Sequence, residues 1–331
     1  MDSDQPPPQP GSQSARPMLT AANTWVLICT YNRNDLLSDL LESLRTVEIP
    51  AGEMPAGPGP SHPQIVVVDN AERPRADHLV KESYPEAVYI HQPRPGIATA
   101  RNTSLQAVPE EAAAVIFIDD DEEVTADWLS AMLECANSSG ADAVAGPVLP
   151  LFPDGRPPWL GTYGYVRRTD FPTGPHQRRL ATNNTLVRAE WFTDQGFRFD
   201  ERFNFTGGSD SDLFERMLNA GARHWWCAEA EVTEKVPAER ATKQWLRRRA
   251  VRGGTVRAMK LRRRPSSDAA AVAVRIAAEG AARAGYGSLR RAGKRLRRRA
   301  VTYTDDYYLC EGVGMLASLT GRGRDEYGRS A

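Results

Sequence analysis

The chain has 331 residues, with 42 Lys and Arg balanced by 42 Asp and Glu, and 41% hydrophobic and 25% charged residues. That length fills one large domain or two small ones, and the composition is ordinary for a globular protein. No run of about 18 apolar residues argues for a spanning helix, and no basic flank precedes an apolar core at the start, so no secretory signal is expected. Cys29, Cys135, Cys227 and Cys310 lie far apart without a CxxC pair. This argues against a zinc site or disulfide framework and for a reducing cytoplasm.

Residues 1–22 are rich in Pro, Gln and Ser and read as a disordered tail. Residues 24–30 form an apolar run ending at Thr30 and Tyr31, the pattern of a buried strand. Leu36, Leu37, Leu40, Leu41 and Leu44 follow at helical spacing, with Asn34 or Asp35 as the cap. The stretch 49–63 holds too many Pro and Gly residues for regular structure. A second apolar strand, 64–70, ends in Asp69 and Asn70. A helix over 76–83, a short strand over 87–91 and a turn at Pro95 and Gly96 lead to a helix over 97–105 that carries Arg101.

The most informative stretch is 114–122, where five apolar residues run into Asp119, Asp120, Asp121 and Glu122. Four adjacent carboxyl groups repel one another, and burial raises their pKa values unless a cation joins them. Carboxylate oxygens suit hard ions such as Mg²⁺ or Mn²⁺. The alternative is an acidic loop opening a helix over 126–135, whose N-terminus favours negative charge. Strands alternating with helices argue for βαβ units and a mostly parallel sheet, with ligands beyond the carboxyl ends of the strands. Tyr31, Asp69 and the acids 119–121 all fall at such ends.

In the second half, 143–149 reads as one more strand, 150–176 as a long loop, and 181–188 as a strand with Asn183 and Asn184 near its start. Gly207 and Gly208 make a turn, and Ser209 caps a helix to Asn219, with Asp212 completing a weak capping box and Gly221 ending the helix. Asp210 and Asp212 stand roughly 200° apart on that helix. Capping takes Asp212 and leaves Asp210 free to project; alternatively both only complement the helix dipole. A short strand over 224–228 contains Trp225 and Trp226. Of these at most one can line a given face and stack on a sugar.

Between residues 240 and 300 about twenty Lys and Arg face two acids, Asp268 and Glu279. An Ala-rich helix over 269–284 lies inside this stretch. A last helix over 307–321, with Leu309, Val313, Met315, Leu316 and Leu319, is expected to pack back on the core. The charge density points to an anionic partner. The inner membrane leaflet fits, at roughly 1 kcal/mol per basic residue, and no nucleic-acid recognition motif accompanies the charge.

Five stretches in order, 26–33, 65–70, 96–102, 117–122 and 206–213, resemble the family 2 glycosyltransferases of the GT-A fold, particularly bacterial ones near the succinoglycan-type exopolysaccharide branch. The resemblance covers about residues 23–258. It implies an α/β, Rossmann-like, mostly parallel central sheet flanked by helices, with a basic helical C-terminal extension. The implied division is a catalytic domain over 23–240, with a nucleotide-sugar half (23–125) and an acceptor half (126–240), then the extension 241–331. It implies an inverting transferase using a nucleotide-diphosphate sugar, a UDP-sugar by preference, and Mn²⁺ or Mg²⁺.

By motif matching, Thr30, Tyr31 and Arg33 line the nucleotide pocket, and Asp69 hydrogen-bonds the base. Arg101 sits near base or diphosphate, and Asp119 and Asp120 contact ribose and metal-nucleotide. Asp121 matches the metal ligand, with Glu234 as the nearest candidate for a further one, and Asp210 matches the catalytic base. Where relatives carry a glutamate before that base, this chain has Ser209, a departure that bears on acceptor recognition. Acceptor-side candidates are Asn184, Gly208, Ser209 and Trp225. The acceptor is a glycan, a lipid-linked intermediate or a small molecule, and the location is cytoplasmic, on the inner face of the membrane. Two other readings are transfer to a polyprenyl phosphate, which needs no base, and a non-catalytic nucleotide-sugar-binding scaffold.

Overall fold

The computed structural model describes residues 16–49, 62–163, 171–176, 180–263 and 268–320. The first half follows the predicted alternation: β1 (Thr24–Thr30), α1 (Asn34–Arg45), β2 (Gln64–Asp69), α2 (Asp77–Ser83), β3 (Val88–His91), α3 (Ile97–Gln106) and β4 (Ala114–Asp119). In β1, Val26 and Ile28 enter one core layer and Leu27 the other; in β4, Ile116 and Ile118 oppose Val115 and Phe117 in the same way. Both faces of the sheet are covered, which is why these strands read as unbroken apolar runs. Each such fully buried side chain contributes about 1.5–3 kcal/mol. Leu37, Leu40, Leu41 and Leu44 form the buried stripe of α1. No side chain caps that helix: the cap position falls on Arg33, and Asn34, the first helical residue, donates to the Arg75 carbonyl.

The chain continues through β5 (Glu122–Val124), α4 (Trp128–Ser139), β6 (Ala143–Ala145), β7 (Val148–Leu151), α5 (Trp159–Tyr163), β8 (Gly174–Pro175), β9 (Thr185–Arg188), α6 (Glu190–Thr193), α7 (Ser209–Asn219), β10 (His224–Trp226) and β11 (Val232–Lys235). The main sheet has the order β3-β2-β1-β4-β9-β6-β10-β8, and a small second sheet has the order β5-β11-β7. Strands β1 to β4, β6 and β10 share one direction, with β9 inserted antiparallel between β4 and β6.

Five expectations need correction. The strand expected over 143–149 is two strands in different sheets, separated at Gly146, where a Cβ would collide with the Ala230 carbonyl. The strand expected over 181–188 starts only at Thr185, because Asn184 adopts a left-handed conformation with φ +58°. Strand β5 follows the acids where only a loop and helix were expected, and the loop 150–176 contains α5. Of the expected tail, residues 16–22 pack on the domain: Leu19 is fully buried, its backbone is bracketed by the Asn137 amide, and Arg16 pairs with Asp142 and Glu190. Residues 1–15, 50–61 and 164–170 of the expected tail and loops lie outside the described residues.

Three helices end the described chain: α8 (Lys243–Arg263), α9 (Ala269–Leu296) and α10 (Tyr303–Ser318). α10 packs on α8 and α9 around Ala258, Leu261, Ile276 and Met315, not on the sheet core as expected. The backbones meet at glycines: a Cβ on Gly254 would strike the Glu311 carbonyl, and one on Gly314 the Val251 carbonyl. Part of the basic surplus of 240–300 is met by α10, whose buried Asp305, Asp306 and Glu311 take Arg290 and Lys294, Arg247 and Arg291, and Arg283 respectively. Arg257 pairs with Glu279. Among the described residues, no helix is long and apolar enough to cross a membrane.

Candidate active site

The register of β1 against its neighbours sets Thr30 beside Asp69 and Cys29 beside Asp119, so the three polar strand ends share one rim. Thr30 Oγ1 donates to Asp120 Oδ2 at 2.8 Å. Arg33 Nη1 donates to Asp120 Oδ1 at 3.0 Å and to Asp121 Oδ2 at 3.3 Å. Tyr31 follows β1 directly and is half-buried. Arg101, on α3, donates to Asp119 Oδ1 at 3.4 Å and to Ser209 Oγ at 3.2 Å, and lies over the Phe199 ring. One guanidinium thus joins the strand rim to the first turn of α7.

Glu122 is the pivot of the acidic stretch. It is 1% exposed, and its Oε2 accepts the Asp119 amide at 2.9 Å, which turns the chain from β4 into β5. In the β5–β11 pair Glu122 stands opposite Glu234, so the small sheet delivers Glu234 to the acids. Arg240, in the segment after β11, places Nη1 3.0 Å from Asp121 Oδ2 and 3.6 Å from Glu234 Oε1.

The electrostatics follow from this crowding. Burial pushes Asp120 up to about 6, against the pull of Arg33, with Asp121 adding repulsion. Burial also pushes Glu234 up to about 7, helped by Asp121 and Asp119. The enclosed position of Asp119 raises its carboxyl; Arg101 opposes this, and the charges of Asp121 and Asp210 reinforce it. The Asp119 side chain is nonetheless 44% exposed, so it can meet a ligand. Arg101, bonded to both Asp119 and Ser209, ties the rim to the turn that carries Asp210.

The donor atoms here are carboxylate oxygens short of positive charge, and a guanidinium nitrogen already bridges Asp121 and Glu234. That chemistry fits a hard divalent cation. Among the described residues, no three or more His, Cys, Asp or Glu side chains converge as a metal cage, so the fit rests on that bridged pair.

Other predicted site residues have different surroundings. Asp69 is 1% exposed, and its oxygens accept the amides of Ala71, Arg75 and Ala76 and the Tyr89 hydroxyl. These bonds hold its pKa below the usual range despite burial. It fixes the loop after β2 instead of presenting its carboxylate to a base. Asn184 is fully buried and bonds Trp128 Nε1 and the carbonyls of Pro147 and Ala230, so it braces the interior and does not face an acceptor. Trp225 is half-buried against the core layer of α1 and α4.

Ser209 is not the cap but the first residue of α7, and it is 1% exposed. The cap is Gly208 at φ +88°, where a Cβ would strike Val256 of α8. Asp212 makes no capping box; it pairs with Arg216 and Arg263. Asp210 remains the half-buried acid of that first turn.

Three contributors had not been singled out from sequence. Asn70 Oδ1 accepts the Gly96 amide at 2.9 Å, and Asn204 Oδ1 accepts the Thr99 amide at 3.0 Å; together they seat α3 and hence Arg101. Arg240 is the third. Asn70 stands next to a predicted strand end, a signal that was available. Asn204 carries none, because its partner Thr99 is 105 residues away, and the pairing of Arg240 with Asp121 spans 119 residues, although Glu234 is near it in sequence.

A profile of glycosyl transferase family 2 matches residues 25–200. The succinoglycan biosynthesis protein ExoM of Rhizobium meliloti (strain 1021) is 33% identical over 231 residues, covering 69% of this chain and 71% of that protein. The structure of TarS 1–349 from S. aureus superposes with a TM-score of 0.52 at 16% identity, covering 91% of this chain and 92% of that one. The same fragment with UDP-GlcNAc bound gives a TM-score of 0.51 at 16% identity, covering 87% and 90%. With the rim carboxylates and α7 arranged as described, the chain belongs to glycosyltransferase family 2, is a glycosyltransferase, and has the GT-A fold.

Proposed function

We propose that this glycosyltransferase moves a sugar from a UDP-sugar to an acceptor hydroxyl with inversion, in the building of an exopolysaccharide or related glycan. The observation that carries the reading is that Arg101 bonds both Asp119, at the end of β4, and Ser209, which ties the rim to the first turn of α7, where Asp210 stands. The Asp210 carboxylate takes the proton from the acceptor hydroxyl, and the acceptor oxygen attacks the anomeric carbon from the face opposite the diphosphate. The bond from that carbon to the diphosphate oxygen breaks, and UDP leaves. Asp119 and Asp120 hold the nucleotide side, with Thr30, Tyr31 and Arg33 walling the pocket. Arg33 and Arg101 meet charge developing on the leaving group.

Asp121 and Glu234 would hold Mn²⁺ or Mg²⁺, which supplies neutralisation of the diphosphate when bound. Support for the donor class comes from the UDP-GlcNAc complex of a protein with this fold. Support for the pathway class comes from the succinoglycan relative. Of the basic surface expected to meet anionic lipid, Arg248, Arg275, Arg295, Arg297, Arg298 and Arg299 are among the exposed residues, and this reading gives membrane contact to such residues.

The test is Asp210→Asn, assayed for UDP release with acceptor and for UDP binding by calorimetry. Loss of a positioned base is expected to cut kcat by about 10²–10⁴ while UDP affinity stays near wild type. A variant that retains wild-type turnover removes Asp210 from the mechanism and favours a phosphate acceptor, which needs no base.

A further inference from the structure

Two guanidinium groups converge on one oxygen, Asp121 Oδ2, and they are anchored differently. Arg33 is also held by Asp120, on the strand rim. Arg240 reaches in from the opposite side, on the segment between β11 and α8, and its Nη1 lies between Asp121 and Glu234. Asp121 is 7% exposed, whereas the Arg240 side chain is 26% exposed and has a path to solvent. The backbone around Arg240 is fixed by a turn: its amide and that of Ala241 both donate to the Pro237 carbonyl. Only the side chain has to rotate for the guanidinium to leave.

We propose that Arg240 is an exchangeable counter-cation, occupying the position between Asp121 and Glu234 that a divalent metal takes when the donor site is loaded. This rests on the reading that those two carboxylates hold the metal. Of the two guanidinium groups on Asp121, only that of Arg240 also reaches Glu234, 3.0 Å from the one and 3.6 Å from the other, so it fills the space between the two carboxylates that a metal bridging them would need. Like charges that close repel strongly in a part-buried site. Metal and Arg240 are therefore alternatives. Arg240 keeps the acid cluster neutralised and preformed without metal, and its displacement weakens metal binding. Apparent affinity falls by the fraction of molecules in which the position is open.

The experiment is Mn²⁺ titration by calorimetry of the full chain without nucleotide, for wild type, Arg240→Ala, Arg240→Gln and Arg240→Lys. Melting temperatures are recorded in EDTA and in Mn²⁺. Arg240→Ala and Arg240→Gln are expected to bind Mn²⁺ about tenfold more tightly than wild type, with Arg240→Lys close to wild type. The two neutral variants should melt lower in EDTA and gain more from Mn²⁺. If Arg240→Ala does not fold, Arg240→Gln gives the same reading with the side-chain bulk retained. Unchanged Mn²⁺ affinity in a folded neutral variant makes Arg240 a plain structural ion pair and overturns the inference, while metal use survives. Absence of Mn²⁺ binding in every protein, with turnover persisting in EDTA, overturns both.

Discussion

Strands β1 and β4 bury Val26, Ile28, Ile116 and Ile118 in the core, whereas α10 buries Asp305, Asp306 and Glu311 against basic residues of α8 and α9. The sheet gains its stability from apolar area and tolerates small losses. The helices gain theirs from charge matching and from backbones brought together at glycines, where removing one member exposes the desolvation cost of the rest. The two regions also serve different parts of the site. The sheet rim presents the carboxylates of the donor side. α8 braces the first turns of α7, through Val256 on Gly208 and Lys260 on Ser211 and Glu215. Damage to the sheet should therefore reach donor binding, and damage to the bundle should reach the Asp210 side.

The largest effect expected from this contrast is that of Asp305→Ala. It strands Arg290 and Lys294 and removes the carboxylate that accepts the Thr302 amide at the start of α10. Because Arg290 and Lys294 keep access to solvent, the cost is that of the lost charged hydrogen bonds, about 1.5–3 kcal/mol, and denaturant unfolding should record a loss of that size. A loss under 1 kcal/mol would place the stability of the bundle elsewhere. Next comes Gly208→Ala, which meets both a left-handed backbone and Val256, at about 1–3 kcal/mol. Steady-state kinetics should show kcat reduced with UDP affinity retained, and the reverse pattern would break the assignment of α8 to the base side. Ile116→Val in β4 should cost only about 0.5–1.5 kcal/mol, with the melting temperature lowered slightly and kcat unchanged.

Acid provides the gentlest discrimination. The Asp305 and Glu279 carboxyls are held below their ordinary values, in each case against the effect of burial: Asp305 by Lys294, the Thr302 amide and Arg290, and Glu279 by Arg257 and Arg283. Their contribution is complete above the unfolded carboxylate range near pH 4 and is lost as pH falls through and below it. Asp120 and Glu234 are shifted the other way, so their ionisation opposes folding as pH rises from about 4 through their folded values, and acid relieves them. Hydrogen exchange at falling pH should therefore open α9 and α10 before β1, β2 and β4. Simultaneous loss of protection would sink the contrast.

The strand ends, the stripe of α1 and the place of the acids 119–121 at the end of a buried strand were legible in sequence. Each depends on local order: an apolar run or a helical period. Roles that depend on which groups surround a side chain were not. Asp69 and Asn184 had the right residue types at the right places, yet their hydrogen bonds are spent within the chain.

The acidic stretch that dominates the sequence keeps its place at the rim, and tertiary structure adds what lies across from it. Sequence alone determined that four carboxyls would crowd at the end of a buried strand and would need positive charge. Only the fold decided that Glu234 joins them through the β5–β11 register, and that Arg33 and Arg240 supply the charge. Sequence alone determined that 240–300 carries a surplus of Lys and Arg. Only the fold decided which of these residues meet the acids of α10. Composition counts charges, but neutralisation depends on distances of a few ångströms between residues far apart in the chain.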